Sequence, residues 1–582
     1  MRIEDEGPNL AARLAVLIGR GSRVGAIARP SIFAFLILCW FALTGIGAWQ
    51  ESPEAGFGAR VADVLYDPFT FLAPQDSYFN RAQSDLLHNP FLWLGRFFGA
   101  AIPVYAIIWT AIAWGRQRIA HNLLSIATGH VVIYSQDGAA DAMAIALART
   151  GEVVVLAESE PRPERQQALI EAGVILLDDL RPGSLRHTGA ERASRVIAWG
   201  SDDANNLGAA LDIGAQLHTR HEDLLVRVES PELRRALRKA PDLLEREDSR
   251  IRPISLNQTA VREAFANSDL VEAALANGQD RVHVALLGHS SLLEDICSFA
   301  LRQNWSALLA TPKVSIASDD LEAWQEWLTL HRTAFSHFRV ATEADIDPVA
   351  TGSPIGSLLA DGSVTRFIVD MGDDDATVRT CFRLATEIQQ FAESPALVQP
   401  VVRSIPALRN LYEGSRMPFA APVILSLESQ ARSLVSRERD EAAARKHLVY
   451  LHGLSDDATP LPANKDWRDI SETFVHANRA AADHEAVKQF DLAELAARGS
   501  QHEDALLRAA MSEHRRWCAE RLLDGWRPGP RTEETRDRQL HDKLVPWSQL
   551  NDEDKRKDAD QVRAAWATPA RDHPVLPNDD GF

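Results

Sequence analysis

The sequence predicts an α/β chain with two N-terminal transmembrane helices, tandem doubly wound parallel-sheet domains and a small, mostly helical C-terminal domain. Three observations carry this. Two uncharged apolar runs lie within the first 120 residues, strands alternate with helical stretches from residue 130, and tryptophan-marked helical motifs cluster after residue 500. The 582 residues correspond to about four domains at roughly 150 residues each. A composition of 46% apolar and 25% charged residues is that of a folded protein, which excludes a mainly disordered or collagen-like chain. With 62 basic and 81 acidic side chains the net charge is -19, so no nucleic-acid partner is expected. Cys39, Cys297, Cys381 and Cys518 form no CxxC pair, which argues against a disulfide framework or a metal site.

The membrane elements come first. Between Arg29 and Glu51 lie 21 uncharged residues, and between Arg96 and Arg116 lie 19 more. About 20 apolar residues in a helix cross a bilayer. Trp49, Trp93 and Trp114 sit near the run ends, where indole rings favour the interface. Pro103 is expected to kink the second helix, and Gly99 to allow close helix packing. A cleaved leader fits poorly, because the first apolar run is long, starts after Arg29 and is followed by no A-x-A site. Arg2, Arg13, Arg20, Arg23 and Arg29 precede the first run, and Arg116 and Arg118 follow the second. The loop between holds only Arg60 and Arg81 against six acids. The positive-inside rule then predicts a two-pass protein of the inner (plasma) membrane with both termini cytoplasmic. The expected segments are 1–29 cytoplasmic, 30–50 membrane, 51–92 extracytoplasmic and 93–115 membrane. Residues 1–120 carry ten arginines, no lysine and nine acids, a net of +1, which leaves -20 for the remainder.

Next comes a strand–helix alternation over 120–270. HVVIYS (130–135), EVVVLAE (152–158), VILLDD (174–179) and RVIAWG (195–200) read as strands, with helical spacing between them. This pattern predicts a doubly wound sheet whose ligands sit at the carboxyl ends of the strands. The run 129–216 resembles the N-terminal RCK (TrkA-N) domain, on the strand HVVIYS, Glu158, Asp178 and SDDANNL (201–207). The resemblance implies regulation of potassium channels or transporters and binding of NAD(H), ATP or ADP. It nominates Ser135, Asp137, Gly138, Glu158, Asp178, Asp202 and Asn205 as cofactor-binding residues, Glu158 through a ribose hydroxyl. The first turn departs from G-x-G-x-x-G, reading Ser135, Gln136, Asp137, Gly138, Ala139, Ala140. Asp137 puts a carboxylate where phosphate would sit, against the usual dinucleotide pose.

The pattern recurs over 280–420. RVHVALLGHSS (281–291) is a strand and turn, and TRFIVDMGDDDATV (365–378) aligns with SRVIAWGSDDANNL (194–207) at a constant shift of 171. This second Rossmann-like domain has only Gly288 in its first turn.

Residues 421–500 read as a helical linker, and 501–568 as the last domain. Glu513, His514 and Trp517 form E-H-x-x-W, and Gly525, Trp526 and Gly529 form G-W-x-x-G. Leu544–Leu550 and Asp554–Asp558 complete the series. These motifs resemble the RyR domain, and the whole order resembles bacterial membrane proteins that join RyR and TrkA-N domains. His514, Trp517, Trp526 and Trp547 are candidates for an aromatic ligand pocket, or for the core of a small domain. Residues 466–483 align with 546–563 at a shift of 80, pairing Trp467 with Trp547 and Asn478 with Asp558. That segment is either a degenerate half-repeat or an ordinary helix of similar composition.

Neither G-x-S-x-G, G-x-x-x-x-G-K-[ST] nor H-E-x-x-H occurs, so no catalytic or metal residues are nominated and an enzyme is not expected. The loop 50–89 lacks T-V-G-Y-G, against a potassium-selective pore. The expected protein is a membrane-anchored sensor of a nucleotide-like ligand, a regulatory or channel-like subunit linked to ion transport and a homo-oligomer in the lipid bilayer. A non-conducting scaffold and a membrane-tethered nucleotide-processing enzyme are the alternatives.

Overall fold

The structure is a computed structural model. It describes residues 8–567 apart from 21–22, 52–55, 65–89, 108–121, 159–162, 178–187, 218–220, 245–248, 344–348, 352–354, 392–395, 404–415, 436–437, 454–461, 531–538 and scattered positions within 59–100 and at 125, 319 and 468. The chain divides into two compact units, Met1–Ile133 with Gly151–Ser194, and Tyr134–Thr150 with Arg195–Phe582.

In the first unit, helix α1 (Leu10–Arg20) precedes α2 (Arg23–Glu51), which contains the first apolar run. Helical residues 97–99 and 101–107 belong to the second run, the rest of which lies outside the described residues, and helical residues 94–95 precede it. The backbone at Gly95 and Gly99 closely approaches α2. A Cβ at Gly95 would lie 2.5 Å from Thr44 Cγ2, and one at Gly99 would lie 2.9 Å from Trp40 Nε1. Small residues four apart permit this approach. Among the described residues, no helix is long and apolar enough to cross a membrane.

Strands β1 (Val131–Ser135), β2 (Val154–Glu158) and β3 (Ile175–Leu177) lie in the order β3-β2-β1. In the second unit the end of β1 is followed by β4 (Arg195–Ala198), β5 (His221–Arg227) and β6 (Ser249–Ile254), the last three paired in parallel. Strands β7 (His283–Gly288), β8 (Lys313–Ala317), β9 (Val349–Thr351), β10 (Arg366–Asp370), β11 (Leu397–Val402) and β12 (Val423–Ile424) form a second parallel sheet, ordered β9-β8-β7-β10-β11-β12. The second sheet follows the 3-2-1-4-5-6 order of dinucleotide folds, with the topological switch beside its first strand.

The helices of the second unit are α3 (Asp141–Arg149), α4 (Asp203–Gln216), α5 (Pro231–Lys239), α6 (Leu256–Phe265), α7 (Ser291–Gln303), α8 (Leu321–Thr342), α9 (Asp374–Phe391), α10 (Leu427–Val435), α11 (Glu438–His452), α12 (Glu472–Asp483), α13 (Glu485–Ala497), α14 (His502–Leu523) and α15 (Asp552–Ala567). The repeat at a shift of 171 is structural, since it carries β4 onto β10 and the start of α4 onto the start of α9. Each Asp-Asp pair does the same two jobs. Asp202 accepts from the Asn205 amide and Asp373 from the Ala376 amide, both at 2.8 Å, capping their helices. Asp203 accepts from the amides of Glu229 and Ser230, and Asp374 from that of Arg403, which pins the chain after the next strand.

The C-terminal helices share a core with the second sheet. Cys518, Ala519, Leu522, Leu523 and Trp526 of α14 and its end pack in one cluster with Trp324, Phe338 and Ile316. At the centre of this packing the buried carboxylate of Glu513 meets Arg516 Nη2 at 3.0 Å, Lys488 Nζ at 3.2 Å and His484 Nδ1 at 3.1 Å. His484 Nε2 donates to the Trp305 carbonyl at 2.7 Å, tying the network to the end of α7. Burial works against the Glu513 charge, but Arg516 and Lys488 hold its pKa well below the carboxylate range.

Two predictions follow from this packing. Gly288 has φ +96°, and a Cβ there would sit 2.0 Å from the Asp370 carbonyl oxygen. Gly278 (φ +68°) has open space. Gly288→Ala is expected to cost roughly 3 kcal/mol or more, against about 1 kcal/mol for Gly278→Ala, measured by denaturant unfolding. The second concerns Asp491, which accepts from Ser306 Oγ and the Ala307 amide. Burial pushes its pKa up to about 7 from 3.8. The folded chain then binds the extra proton between those values, so its contribution to stability falls as pH rises from about 4 to 7. Melting temperatures across that window are expected to flatten in Asp491→Asn; an unchanged slope would refute the assignment.

Candidate functional site

Chemistry-bearing side chains come together first in the crevice where β1 meets β4. Gly138 takes φ +73° in the turn after β1, as a tight turn there requires. The Asp137 carboxylate fills the crevice. It accepts from the Ser201 amide at 2.7 Å, from the Ser201 hydroxyl, from the Ala139 amide at 3.1 Å and from the Ser135 hydroxyl at 3.3 Å. Partial burial opposes the charge, but the Ser201, Ala139 and Ser135 hydrogen bonds outweigh it and bring the pKa down to about 2. The donors that a phosphate would need are thus bound to the chain's own anion.

The other residues nominated here do separate work. Glu158 is buried at the end of β2, with its carboxylate 3.6 Å from Arg165 Nη1. Asp202 and Asn205 form a helix cap. Asp178 lies outside the described residues. Buried Asn206, which the sequence did not single out, spans the Gly200 and Arg227 carbonyls.

The second crevice, between β7 and β10, repeats the device. Buried Asp370 accepts from Ser290 Oγ and from Arg403 Nη2, both at 2.6 Å, and from the Gly372 amide at 3.0 Å. Ser290 also caps α7 through the Leu293 amide. In the second lobe the helix N-terminus that would face a phosphate is therefore capped internally, whereas in the first lobe Asp137 occupies the turn before α3.

The third place is a cavity of about 460 Å³ between α11, α12, α14 and α15. His514 and Trp517 stand on one face of α14, their rings 5.9 Å apart and inclined by 23°. His447 and Tyr450 stand at the same spacing on α11, 6.1 Å apart and inclined by 27°. His514 Nε2 donates to the Val545 carbonyl at 2.8 Å, and His447 Nε2 lies 2.7 Å from the Lys465 carbonyl. Trp547 packs 5.9 Å from the His514 ring, and Trp467 packs 6.1 Å from the His447 ring. A shift of 80 carries Lys465 onto Val545, Trp467 onto Trp547, and the first residue of α12 onto the first of α15. Residues 466–483 therefore repeat 546–563 in structure, and Asn478 and Asp558, paired by the same shift, both line the cavity.

Of the four aromatic-pocket candidates, His514 and Trp517 line this cavity, whereas Trp526 and Trp547 do not. Trp526 belongs to the core shared with the second sheet, and Trp547 packs on the cluster of α13, α14 and α15. His541 bridges the set, 5.0 Å from Trp517 and 5.9 Å from Trp526. Arg521, another lining residue, sits over the rings of Trp526, Phe474 and Trp517 at 5.3, 5.6 and 6.0 Å. Burial disfavours a charge on His514, but the Cys518 sulfur 3.5 Å away and Asp558 hold its pKa well above the histidine range. Nδ1 faces Asp558 at 3.2 Å and Nε2 faces a carbonyl, so acceptors at both nitrogens favour an imidazolium. The cavity thus combines aromatic faces, cations and carboxylates, which suits a ligand with a planar ring and polar or charged substituents. His447 and Tyr450 were missed in the sequence, although H-x-x-Y repeats H-x-x-W. Among the described residues, no cluster of His, Cys, Asp and Glu could hold a metal ion.

Residues 498–568 match the RyR domain family. No curated protein matches the chain. Among solved structures, the chain is similar to GsuK bound to ADP, with 14% identity, a TM-score of 0.34 and coverage of 71% of this chain and 98% of that one. The GsuK channel bound to NAD gives 12% identity and a TM-score of 0.36, covering 72% and 85%. HepE from Anabaena in complex with UDP-glucose gives 9% identity and a TM-score of 0.18, covering 63% and 99%.

The occupied first crevice makes a prediction. In a Trp517→Ala background, Asp137→Gly is expected to bind ADP at least about fivefold more tightly than the same chain with Asp137, by isothermal titration. Equal affinities would show that the carboxylate does not compete with phosphate.

Proposed function

We propose that the chain is a membrane-anchored cytoplasmic sensor of a nucleotide-like ligand, acting as a regulatory or channel-like subunit in ion transport. The observation that carries this reading is the cavity between α11, α12, α14 and α15. Its volume of about 460 Å³ lies in the range of small-molecule sites. Trp517 and Tyr450 offer faces for a base, and Arg521 and Lys543 offer cations for phosphate oxygens. The RCK-like and RyR-like motifs of the sequence point the same way.

Anchoring rests on the two apolar runs and the arginine asymmetry around them. Phe35, Leu38, Phe97, Val104 and Ile107 expose most of their side chains on the N-terminal helices, a surface that lipid would cover. The proposed topology has two passes through the inner membrane, both termini in the cytoplasm, and several copies around any conducting path. With no T-V-G-Y-G in the loop 50–89, such a path is not a potassium filter. No catalytic motif supports an enzymatic role.

A titration of the full chain in lipid nanodiscs against ADP, ATP, NAD⁺ and NADH tests the sensor. Trp517→Ala and Tyr450→Ala are each expected to weaken the bound nucleotide by about tenfold to a hundredfold, the range of one lost base stack. Binding that ignores both substitutions would move the site elsewhere. Ligand-dependent ion flux in proteoliposomes is the expected readout of transport. Intact binding without flux would leave a non-conducting scaffold, and steady turnover of the nucleotide would replace the sensor by an enzyme.

A further inference from the structure

A second cavity, separate from the aromatic one, is built mainly of arginine. Its volume is about 130 Å³, and its walls come from β4 to β6, α5, α6, α7, α8, α10, α11, α12 and α14. Eight arginines and six carboxylates line it. Most are matched. Arg234 meets Asp295 at 2.6 Å, Arg238 meets Asp524 at 2.5 Å, Arg252 meets Asp440 at 3.1 Å, Arg262 meets Asp483 at 2.6 Å, and Arg479 meets both Asp440 and Glu472.

Two are not. Arg235 is buried, donates from Nη1 to the Leu330 carbonyl at 3.1 Å and has no carboxylate within 4 Å among the described residues. Arg302 likewise has no carboxylate, and its Nη1 meets His476 Nε2 at 3.2 Å. Nδ1 of that imidazole faces Glu520 Oε1 at 3.3 Å, so a proton on Nδ1 leaves a lone pair on Nε2 to accept from Arg302. Burial and the neighbouring arginines hold His476 well below the histidine range, which agrees with this neutral tautomer. The Nε atoms of Arg235 and Arg302 are both buried without a hydrogen-bond partner. Leaving a guanidinium in such a place without an anion is strongly unfavourable, and the lining carries an excess of two positive charges.

Size decides what could supply those charges. About 10–15 Å³ admits one water, and sites for whole organic ligands start at roughly 300 Å³. A cavity of about 130 Å³ lies between, with room for a small oxyanion and none for a nucleoside. We infer that this cavity binds a small divalent oxyanion of the phosphate or sulfate class, held by Arg235 and Arg302. Its walls unite helices of both sheets with α12 and α14, so the anion neutralises the joint on which the aromatic cavity is built. It is a second input, distinct from the nucleotide-like ligand.

The test is thermal unfolding of the full chain in sodium phosphate, sodium sulfate and sodium chloride at matched ionic strength. Phosphate or sulfate is expected to raise the melting temperature by on the order of 2–4 °C over chloride. Arg302→Met and Arg235→Met are each expected to abolish that rise, while melting in chloride at the native temperature or above, because each removes an unneutralised charge. Arg379→Met, at an exposed ion pair, is expected to keep the full rise. The inference is overturned if the rise is absent or survives in both cavity variants. It is also overturned if both variants are strongly destabilised in chloride, since the arginines would then be neutralised from within.

Discussion

Much of the second unit is organised around one buried carboxylate. Glu513 lies in the middle of α14, and two cations and an imidazole reach it from different places: Arg516 from the same helix, Lys488 from α13 and His484 from the joint between α12 and α13. Burying an isolated carboxylate is prohibitive, so the helices that carry the partners must stay where they are. His484 extends the constraint to the Trp305 carbonyl, which fixes the C-terminal helices to the end of α7. The neighbouring residue on α14 points in another direction, because successive residues on a helix turn by about 100°. Both residues line the aromatic cavity, where His514 presents its ring and Glu513 binds the partners that hold the scaffold. One dipeptide therefore joins support and site, and the E-H of the motif is better understood as two roles than as one.

The two sheets carry the strand–helix alternation of nucleotide folds without the vacant phosphate cradle. Asp137 engages the amides of Ser201 and Ala139, and Asp370 engages Ser290, Gly372 and Arg403. The two solutions differ in cost. Asp370 is buried and has a guanidinium partner, whereas Asp137 is exposed and is held by neutral donors. In both cases the helix N-terminus or turn is already satisfied, so a ligand would have to displace an intramolecular anion. That constraint shifts attention to the C-terminal cavity, where rings and cations face open volume.

Much of the architecture was legible because it is periodic. The shift of 171 reproduces β4 as β10 and one capped helix as the next, since a strand, a cap and a helix start leave a local signature. The shift of 80 is fainter, yet it places α12 on α15 to the residue. The tryptophans were harder to sort. Trp517 and Trp526 are nine positions apart and pack on the same core, yet only Trp517 lines the cavity. Asp202 and Asn205 looked like ligand contacts because a cap and a contact use the same residue types. The arginine cavity left no readable trace, because its lining is drawn from residues 195 to 524 and no motif links them.

The net charge illustrates why such a site escapes the sequence. The chain beyond residue 120 carries -20, a balance that by itself argues against anion binding. Long-range repulsion of that kind is screened over about 8–10 Å at ordinary ionic strength, and much of the acid is spread along the chain. Inside the cavity, by contrast, arginines from six elements converge on about 130 Å³, where screening is weak and each unmatched guanidinium weighs heavily. The sign of the sum and the sign of the site are therefore independent. An acidic protein can hold an anion wherever folding gathers its few cations and leaves two of them without carboxylates.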